Sequence, residues 1–545
     1  MSGPYIGVPS LTRPRSAADQ VGENGPAIST PDHWFLSPGR STFTRNRPGL
    51  PSRGDVAVPQ RPETTGPFLP SVESLSTFEC PEWFRDAKLG IWSHWGPQSV
   101  PRYGDWYARN MYIEGSDQYR YHVRTYGHPS TFGYKDLGAL WKAERFDPDE
   151  LMDLYVRAGA RYFVALASHH DNFLNYPSQL HRWNSAAVGP GKDVVGLWRQ
   201  AAHARGLRFG LSEHLGAAFS WWSVNKGADA TGPYAGVPYD GTDPAFEDLY
   251  LANDEHFVPG RRTDLVAPWY TANPGWHRRW LDLVTEMIDL YEPDLLYSDG
   301  APPFGVHGMQ AGLRAAAHLY NTSAARNGGR NQAVYTQKDR SSEVRRIGVL
   351  DVERSQEPAL SPVPWQTDTC LGGWFYDVRA VYKSPAHVVE LLVDVVAKNG
   401  RLLLNVPQLP DGTIDEECRH LLKELAGWME VCGEGIHGSR PFGPGVEGPS
   451  GVVVDGFRED RVAWTDADYR HTRRENTVYA FQMAWPQDRR SIIRSLGPQT
   501  RISSVRLLGA GPVEHHQIYP GGELVVDLPE HPPTPYVNCL AIEVR

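Results

Sequence analysis

From residue 80 to about residue 435 the chain alternates between two hydrophobic patterns. Runs that are apolar without alternation occur at 88–96 ("KLGIWSHWG"), 161–171 ("RYFVALASHHD"), 208–216 ("RFGLSEHLG"), 294–300 ("DLLYSDG"), 333–337 ("AVYTQ"), 347–354 ("IGVLDVER"), 364–370 ("PWQTDTC") and 401–407 ("RLLLNVP"). Runs of this kind predict strands of a parallel sheet covered on both faces, where neither side of the strand meets water. Between several of them the period changes to that of a helix. "GWHRRWLDLVTEMIDLY" (275–291) puts Leu281, Val284, Ile288 and Tyr291 on one face, and "PAHVVELLVDVVAKNG" (385–400) does so with Val388, Leu391, Leu392, Val395 and Val396. The second reads as stopping at Lys398, Asn399 and Gly400. Residues 148–160 and 192–206 are further helical stretches that each lead into a strand. Eight strands alternating with helices predict an α/β fold, a (β/α)8 barrel. The segments between strands five and six and between six and seven are too short for full helices, so an imperfect barrel with loops there is expected.

The flanks follow other patterns. Residues 1–75 are rich in Pro, Gly, Ser, Thr and Arg and show neither period, which predicts an extended arm or linker. The aromatics of "DHWFL" (32–36) suggest that part of this arm wraps over the main domain. After about residue 436 short strands alternate with Gly/Pro turns: "GVVVDGF" (451–457), "NTVYAFQMAW" (476–485), "ISSVRLLGAG" (502–511), "GGELVVDLP" (521–529) and "CLAIEVR" (539–545). They predict a C-terminal β-sandwich packed on the barrel. The expected division is therefore 1–75 arm, 76–435 barrel and 436–545 β-sandwich.

Composition narrows the partners. With 11% aromatic residues, 18 Trp and 25 Tyr, the chain suits aromatic-lined sites. A net charge of −10 carries no electrostatic footprint for nucleic acid or an anionic membrane, so a neutral small molecule or sugar is the expected partner. The five cysteines are scattered without a C-x-x-C spacing, which argues against a disulfide framework or a zinc site. Neither a transmembrane run nor a signal peptide is read in the chain; a cytoplasmic protein is expected, or a secreted one if the N-terminus is trimmed.

Polar side chains recur at the predicted carboxyl ends of the strands, where barrel enzymes carry their chemistry. Strand one offers Ser93, His94 and Trp95; strand two His169, His170 and Asp171; strand three Glu213 and His214; strand four Asp299; strand six Glu353 and Arg354; strand seven Trp365 and Gln366. A single such residue is most simply structural. Six strands agreeing point to a polar ligand, since buried imidazoles and carboxylates are costly unless something pairs with them. There is no G-x-S-x-G elbow, Walker loop or dinucleotide fingerprint, so no cofactor is expected. Carboxylates on separate strands among histidines and aromatics are the inventory of a glycoside hydrolase.

The blocks "WFRDAKLGIWSHWGPQSVPRYGDWYARNMY" (83–112), "YVRAGARYFVALASHHDNF" (155–173), "YEPDLLYSDG" (291–300), "WQTDTCLGGWFYD" (365–377) and "LLVDVVAKNGRLLLNVPQLPDGTI" (391–414) resemble, in this order, the α-L-fucosidases of glycoside hydrolase family 29. The resemblance implies a (β/α)8-like barrel followed by a β-sandwich, and retaining cleavage of α-L-fucosides. It places the nucleophile on Asp299, in the position of the family's "(W/Y)SDG" aspartate. The acid/base comes from a variable region ahead of the "W(E/Q)T" block, where Glu353 is preferred because a strand end places a proton donor better than a loop. Glu357 is its main rival and Glu213 a more distant one. The fucose hydroxyls are expected to meet His94, His169, His170 and Trp106, and Trp365 is counted with them. Strand three departs from the family: where many members read "G(L/V)YYS", this chain reads "GLSEHLG", so Glu213 or His214 is expected to hold the sugar differently. No metal is expected, because adjacent histidines on a strand point to opposite faces. The insertion 220–250 reads as a lid with Trp221 and Trp222 free to stack on sugar or to pack. A fucosylated oligosaccharide or glycoconjugate is the implied partner, and a homo-oligomer is compatible with the sequence. The alternatives are an α-L-galactosidase-like enzyme and a catalytically silent fucose-binding module.

Overall fold

The computed structural model describes residues 65–252, 270–305, 309–452, 459 and 461–545. The "DHWFL" segment and most of "GVVVDGF" lie outside the described residues. The eight apolar runs form a closed, all-parallel barrel in sequence order: β1 (Leu89–Ser93), β2 (Tyr162–Ser168), β3 (Arg208–Glu213), β4 (Leu295–Ser298), β5 (Val334–Gln337), β6 (Val349–Asp351), β7 (Trp365–Cys370) and β8 (Gly400–Asn405). β8 closes on β1 through pairs such as Gly90 with Leu403. Between β5 and β6 there is one 3₁₀ turn, Val344–Ile347, and between β6 and β7 no helix, as the short spacings require.

Strand pleating divides the side chains into two sets. Trp92, Tyr162, Val164, Leu295, Tyr297, Val334, Val349 and Leu403 cluster with Phe84 as the barrel interior. Their neighbours in the strands, among them Ile91, Phe163, Leu211, Leu296, Tyr335 and Leu404, pack in the cluster shared with the surrounding helices. Helix Pro274–Tyr291 belongs to that outer layer. Asn273 caps it by accepting from Gly275 N and Trp276 N, Pro274 pre-sets its first turn, and Trp280, Val284 and Ile288 are buried.

Helix Pro385–Ala397 stops at the Lys398–Asn399–Gly400 signal, with Lys398 as its C-cap. Asn399 takes the left-handed conformation (φ 69°), and Gly400 is already the first residue of β8. The glycine is required by contact: a Cβ there would lie 2.7 Å from Cζ2 of Trp365, its neighbour on β7.

Among the described residues the C-terminal region forms a six-stranded antiparallel sheet, in the order β14-β13-β17-β11-β10-β9, and a three-stranded one, β12-β16-β15. Their strands are β9 (Arg440–Glu447), β10 (Tyr469–Arg474), β11 (Thr477–Gln482), β12 (Arg490–Ile493), β13 (Ile502–Leu507), β14 (Gly511–Pro512), β15 (His515–Ile518), β16 (Glu523–Asp527) and β17 (Asn538–Val544). β9, β10, β12 and β15 fall outside the runs read from the sequence. β10 ("YRHTRR") is polar because Arg470 faces the barrel, where it pairs with Asp394 of helix Pro385–Ala397; Lys398 Nζ holds the same carboxylate at 2.8 Å, and all three side chains are at most 3% exposed. No described helix is long and apolar enough to cross a membrane.

Candidate active site

The strand pleat that sends Leu295 and Tyr297 inward also sends Asp299, just beyond β4, toward the barrel axis. Gly300 follows with φ 103°, a conformation only glycine adopts readily, and this turns the chain away immediately after the carboxylate. Tyr270 braces the turn by donating to the carbonyls of Asp299 (3.3 Å) and Ala301 (2.9 Å). Lys338, one residue past β5, donates from Nζ to Asp299 Oδ1 at 2.7 Å and also to Glu353 Oε2, two residues past β6. Two oxygens that share one donor nitrogen lie no more than about 6 Å apart.

The two carboxyls are pushed in opposite directions. Burial drives Asp299 upward, but Lys338 and the imidazoles of His214 and His170 outweigh it and hold the carboxyl well below its usual range. In Glu353 burial prevails over Lys338, with Asp368 and Asp299 adding to it, and the carboxyl is raised to about 7. An ionised aspartate beside a protonated glutamate results, the division of labour that a nucleophile and a general acid need.

Around Asp299 stand four imidazoles, each at most 5% exposed. His170 Nε2 and His214 Nδ1 face Asp299 Oδ2 at 3.3 and 3.4 Å, while His94 and His169 pack on His214 with ring centroids 4.9 and 4.8 Å away. Burial holds His94 and His169 far below the ordinary imidazole value and His214 at about 4, so all three are neutral. Their tautomers follow from their neighbours. Gln98 accepts from Ala108 N and donates to Asp171 Oδ2 and to His169 Nδ1 (2.9 Å), which leaves the His169 hydrogen on Nε2, toward Asp105. His214 donates from Nδ1 to Asp299, and its Nε2, like Nδ1 of His94, is buried without a hydrogen-bond partner among the described residues. Such atoms cost about 1–3 kcal/mol each until a hydroxyl reaches them. Although ring nitrogens of His94, His169 and His214 lie within 4.8 Å of one another, the Nε2–H of His169 makes the set a mixture of donor and acceptors, which suits sugar hydroxyls better than a metal ion.

Aromatic rings enclose this cluster. Trp374 lies 5.3 Å from His94, Phe375 lies 5.4 and 5.3 Å from His94 and His169, and Trp221 lies 6.0 and 5.8 Å from His169 and His170. Asn405, at the end of β8, ties the wall to the floor: it accepts from His94 N and donates to the carbonyls of Gly373 and Trp374.

The family model described as "Alpha-L-fucosidase" matches residues 56–434, and the one described as "Alpha-L-fucosidase C-terminal domain" matches residues 462–543. The chain belongs to the alpha-L-fucosidase family. As a member it is a glycoside hydrolase. It is 28% identical over 479 residues to the tissue alpha-L-fucosidase of Rattus norvegicus, covering 86% of this chain and 89% of that one. To the human tissue alpha-L-fucosidase it is 25% identical over 519 residues, covering 91% and 96%. A solved alpha-L-fucosidase superposes with a TM-score of 0.67 at 25% identity, covering 87% of this chain and 100% of that one. A family 29 enzyme of Bacteroides thetaiotaomicron, trapped as a covalent intermediate with 2-fluoro-fucosyl fluoride, shares the fold at 16% identity and a TM-score of 0.59, covering 85% and 95%.

Of the residues that the fucosidase resemblance singled out, the structure gathers Asp299, Glu353, His94, His169, His170 and His214, with Trp106 at the rim, its ring 6.1 Å from that of His170. Three others have different partners. Trp365 begins β7 instead of ending it and faces outward; it is fully buried against Leu350, Val352 and Val395 and donates to Lys398 O, so it is not a sugar contact. Glu213 also points outward, one pleat out of phase with Ser212, and its carboxylate is taken up by Ser298 Oγ (2.6 Å), Trp280 Nε1 (3.0 Å) and Leu215 N (3.0 Å). Glu357 pairs with Arg340 and Arg345. His169 and His170 do not face opposite ways: β2 has already ended at Ser168, and their rings meet at 4.5 Å. The insertion is divided, with Trp221 in the wall of the site and Trp222 fully buried among Tyr134, Tyr250 and Tyr112.

Sequence reasoning did not find Lys338, Asp105, Tyr297, Asp368, Trp374 and Phe375. Lys338 stands one place past a predicted strand, where the other polar residues were sought. Asp105, Tyr297, Asp368, Trp374 and Phe375 lie inside the blocks that carried the resemblance. Tyr297 donates to Asp368 Oδ2 at 2.7 Å beneath the nucleophile.

Proposed function

We propose that this chain hydrolyses terminal α-L-fucosides with retention of configuration, Asp299 acting as nucleophile and Glu353 as acid/base. The observation that carries the reading is the single ammonium of Lys338 hydrogen-bonded to both carboxylates. It keeps the two nearest oxygens within about 6 Å, the side of a retaining pair at about 5–5.5 Å and short of the roughly 6.5–9.5 Å at which an inverting pair admits a water. In the first half-reaction an Asp299 oxygen bonds to C1 of the sugar, the C1–O bond breaks, and Glu353 gives its proton to the departing oxygen. In the second, water attacks C1, Glu353 takes its proton, and the Asp299–C1 bond breaks. His94, His169, His170, His214 and Trp106, with Asp105, are the hydroxyl and ring contacts; the neutral imidazoles of His94, His169 and His214 can both donate and accept, as sugar hydroxyls do. The trapped covalent intermediate of the Bacteroides enzyme supports the same route here. A fucosylated oligosaccharide or glycoconjugate is the substrate class.

The test is labelling with 2-deoxy-2-fluoro-α-L-fucosyl fluoride followed by peptide mass mapping. The adduct is expected on Asp299 and absent from Asp299→Gly, whose turnover of an aryl α-L-fucoside should fall at least ~10³-fold. A variant that retains turnover within a few fold of the parent removes Asp299 from the role.

A further inference from the structure

Lys338 has a further part in this reaction, one that rests on the retaining reading above. We propose that Lys338 is a stationary counter-ion that changes partner with each half-reaction, pairing with Asp299 while that carboxylate is free and with Glu353 once Glu353 has given up its proton.

The argument starts from the position of the ammonium group. It has three hydrogens and contacts both carboxylates in the same conformation, so neither contact must break for the other to form. The chain on which it rides is held from the nucleophile's side: Lys338 N donates to the carbonyl of Gly300 at 2.8 Å. Nζ lies 5.5 Å from the ring centroid of Tyr297, a side chain inside the barrel, and the lysine side chain is only 18% exposed. A compact charge so placed acts through little water.

Charge bookkeeping across the reaction then gives the lysine its role. At the start the negative charge is on Asp299 and Glu353 is protonated. When Asp299 bonds to C1 it becomes a neutral ester, and the proton that leaves Glu353 for the departing oxygen transfers the negative charge to Glu353. When water breaks the ester, its proton returns to Glu353 and the charge returns to Asp299. The carboxylate pair carries one negative charge throughout, and the charge moves between the two groups that Lys338 touches. A fixed cation between them offsets the charge in both states without having to reorganise.

The groups that face this set are few. Lys338 is met by Asp299 beyond β4, Asp351 from β6, Glu353 beyond it, and Asp368 from β7. Asp299 is also met by His214 and His170. Arg354, next to Glu353, turns to Glu459 at 3.3 Å. Burial raises Asp351 and Asp368 against the opposing pull of Lys338, whereas the direct hydrogen bonds of Nζ go to the reacting pair.

The experiment is the pH dependence of kcat/KM for phenyl α-L-fucoside, a substrate whose leaving oxygen needs the proton, in the parent, Lys338→Met and Lys338→Arg, each checked for folding by thermal unfolding. kcat/KM reports the free enzyme, the state described here. Loss of the ammonium removes the same favourable field from both carboxylates. Lys338→Met is therefore expected to move the acid and the alkaline limb both toward higher pH and to lower the optimum by ~10²-fold or more, and Lys338→Arg to return both limbs toward the parent. A lysine that only packs would leave the limbs in place. If Lys338→Met does not fold, Lys338→Gln replaces it. Limbs that stay put, or only one limb moving, in an enzyme whose turnover depends on Asp299 overturns the counter-ion and leaves the reaction standing. A parent silent toward aryl α-L-fucosides overturns both.

Discussion

Glu213 offers a sharp test of whether the strand pleat has been read correctly, because its place in the sequence suggests a sugar contact and its place in the structure does not. Its carboxylate accepts from Trp280 Nε1 and Leu215 N through Oε2 and from Ser298 Oγ through Oε1, and Glu213 and Trp280 are at most 1% exposed. In Glu213→Ala two buried N–H donors lose their acceptor. At about 1–3 kcal/mol for each unsatisfied group the loss is ~2–6 kcal/mol, a large part of the stability of an ordinary domain. Glu213→Gln can keep its carbonyl oxygen facing the two N–H groups and turn its amide toward Ser298 Oγ, which can accept as well as donate. It should therefore cost only about 1 kcal/mol. The assay is urea unfolding followed by tryptophan fluorescence, with kcat and KM measured on the same preparations. The expected result is a large stability loss in Glu213→Ala, a small one in Glu213→Gln, and KM within about twofold of the parent for Glu213→Gln. Glu213→Gln with parental stability and a KM raised tenfold or more would put the carboxylate on the sugar and refute the reasoning.

Four further outcomes are expected. Glu353→Ala should lose ~10²–10⁴-fold in kcat/KM on substrates with poor leaving groups and, on an activated aryl fucoside, regain turnover with azide, releasing α-fucosyl azide, whereas Glu357→Ala, which only frees Arg340 and Arg345, should change little; product analysis by NMR distinguishes them. In the parent, Glu353 acts as acid only while protonated, so kcat/KM should fall as pH rises through about 7, and the acid limb should lie below the ordinary carboxylate range because Asp299 is depressed; a kcat/KM profile checks both signs. Asp394→Ala leaves Arg470 and Lys398 charged and buried at the face between barrel and C-terminal sheet and should cost about 3–5 kcal/mol in denaturant unfolding. Gly400→Ala drives a methyl group into the Trp365 ring and should cost about 1–3 kcal/mol, with KM unchanged in the folded enzyme.

The sequence by itself determined the barrel. Eight apolar runs without alternation are a local property of the chain, and their order and the missing helices around β6 followed from spacing, while the family resemblance picked out the aspartate at the end of "LLYSDG". It also supplied the carboxylate and most of the histidines, because strand ends can be located from where an apolar run stops. Tertiary structure alone decided which way those ends face. Glu213 and Asp299 both sit at strand termini, yet the pleat phase, fixed by register with neighbouring strands, turns one to a helix and the other to the axis. The same phase sends Trp365 outward, and the end of β2 at Ser168 frees His169 and His170 to share one side. Lys338 joins Asp299 and Glu353 across gaps of 39 and 15 residues, and Arg470 meets Asp394 across 76. No local window contains such pairs: they exist only because barrel closure brings distant strand ends together, and their strength comes from the burial that closure creates.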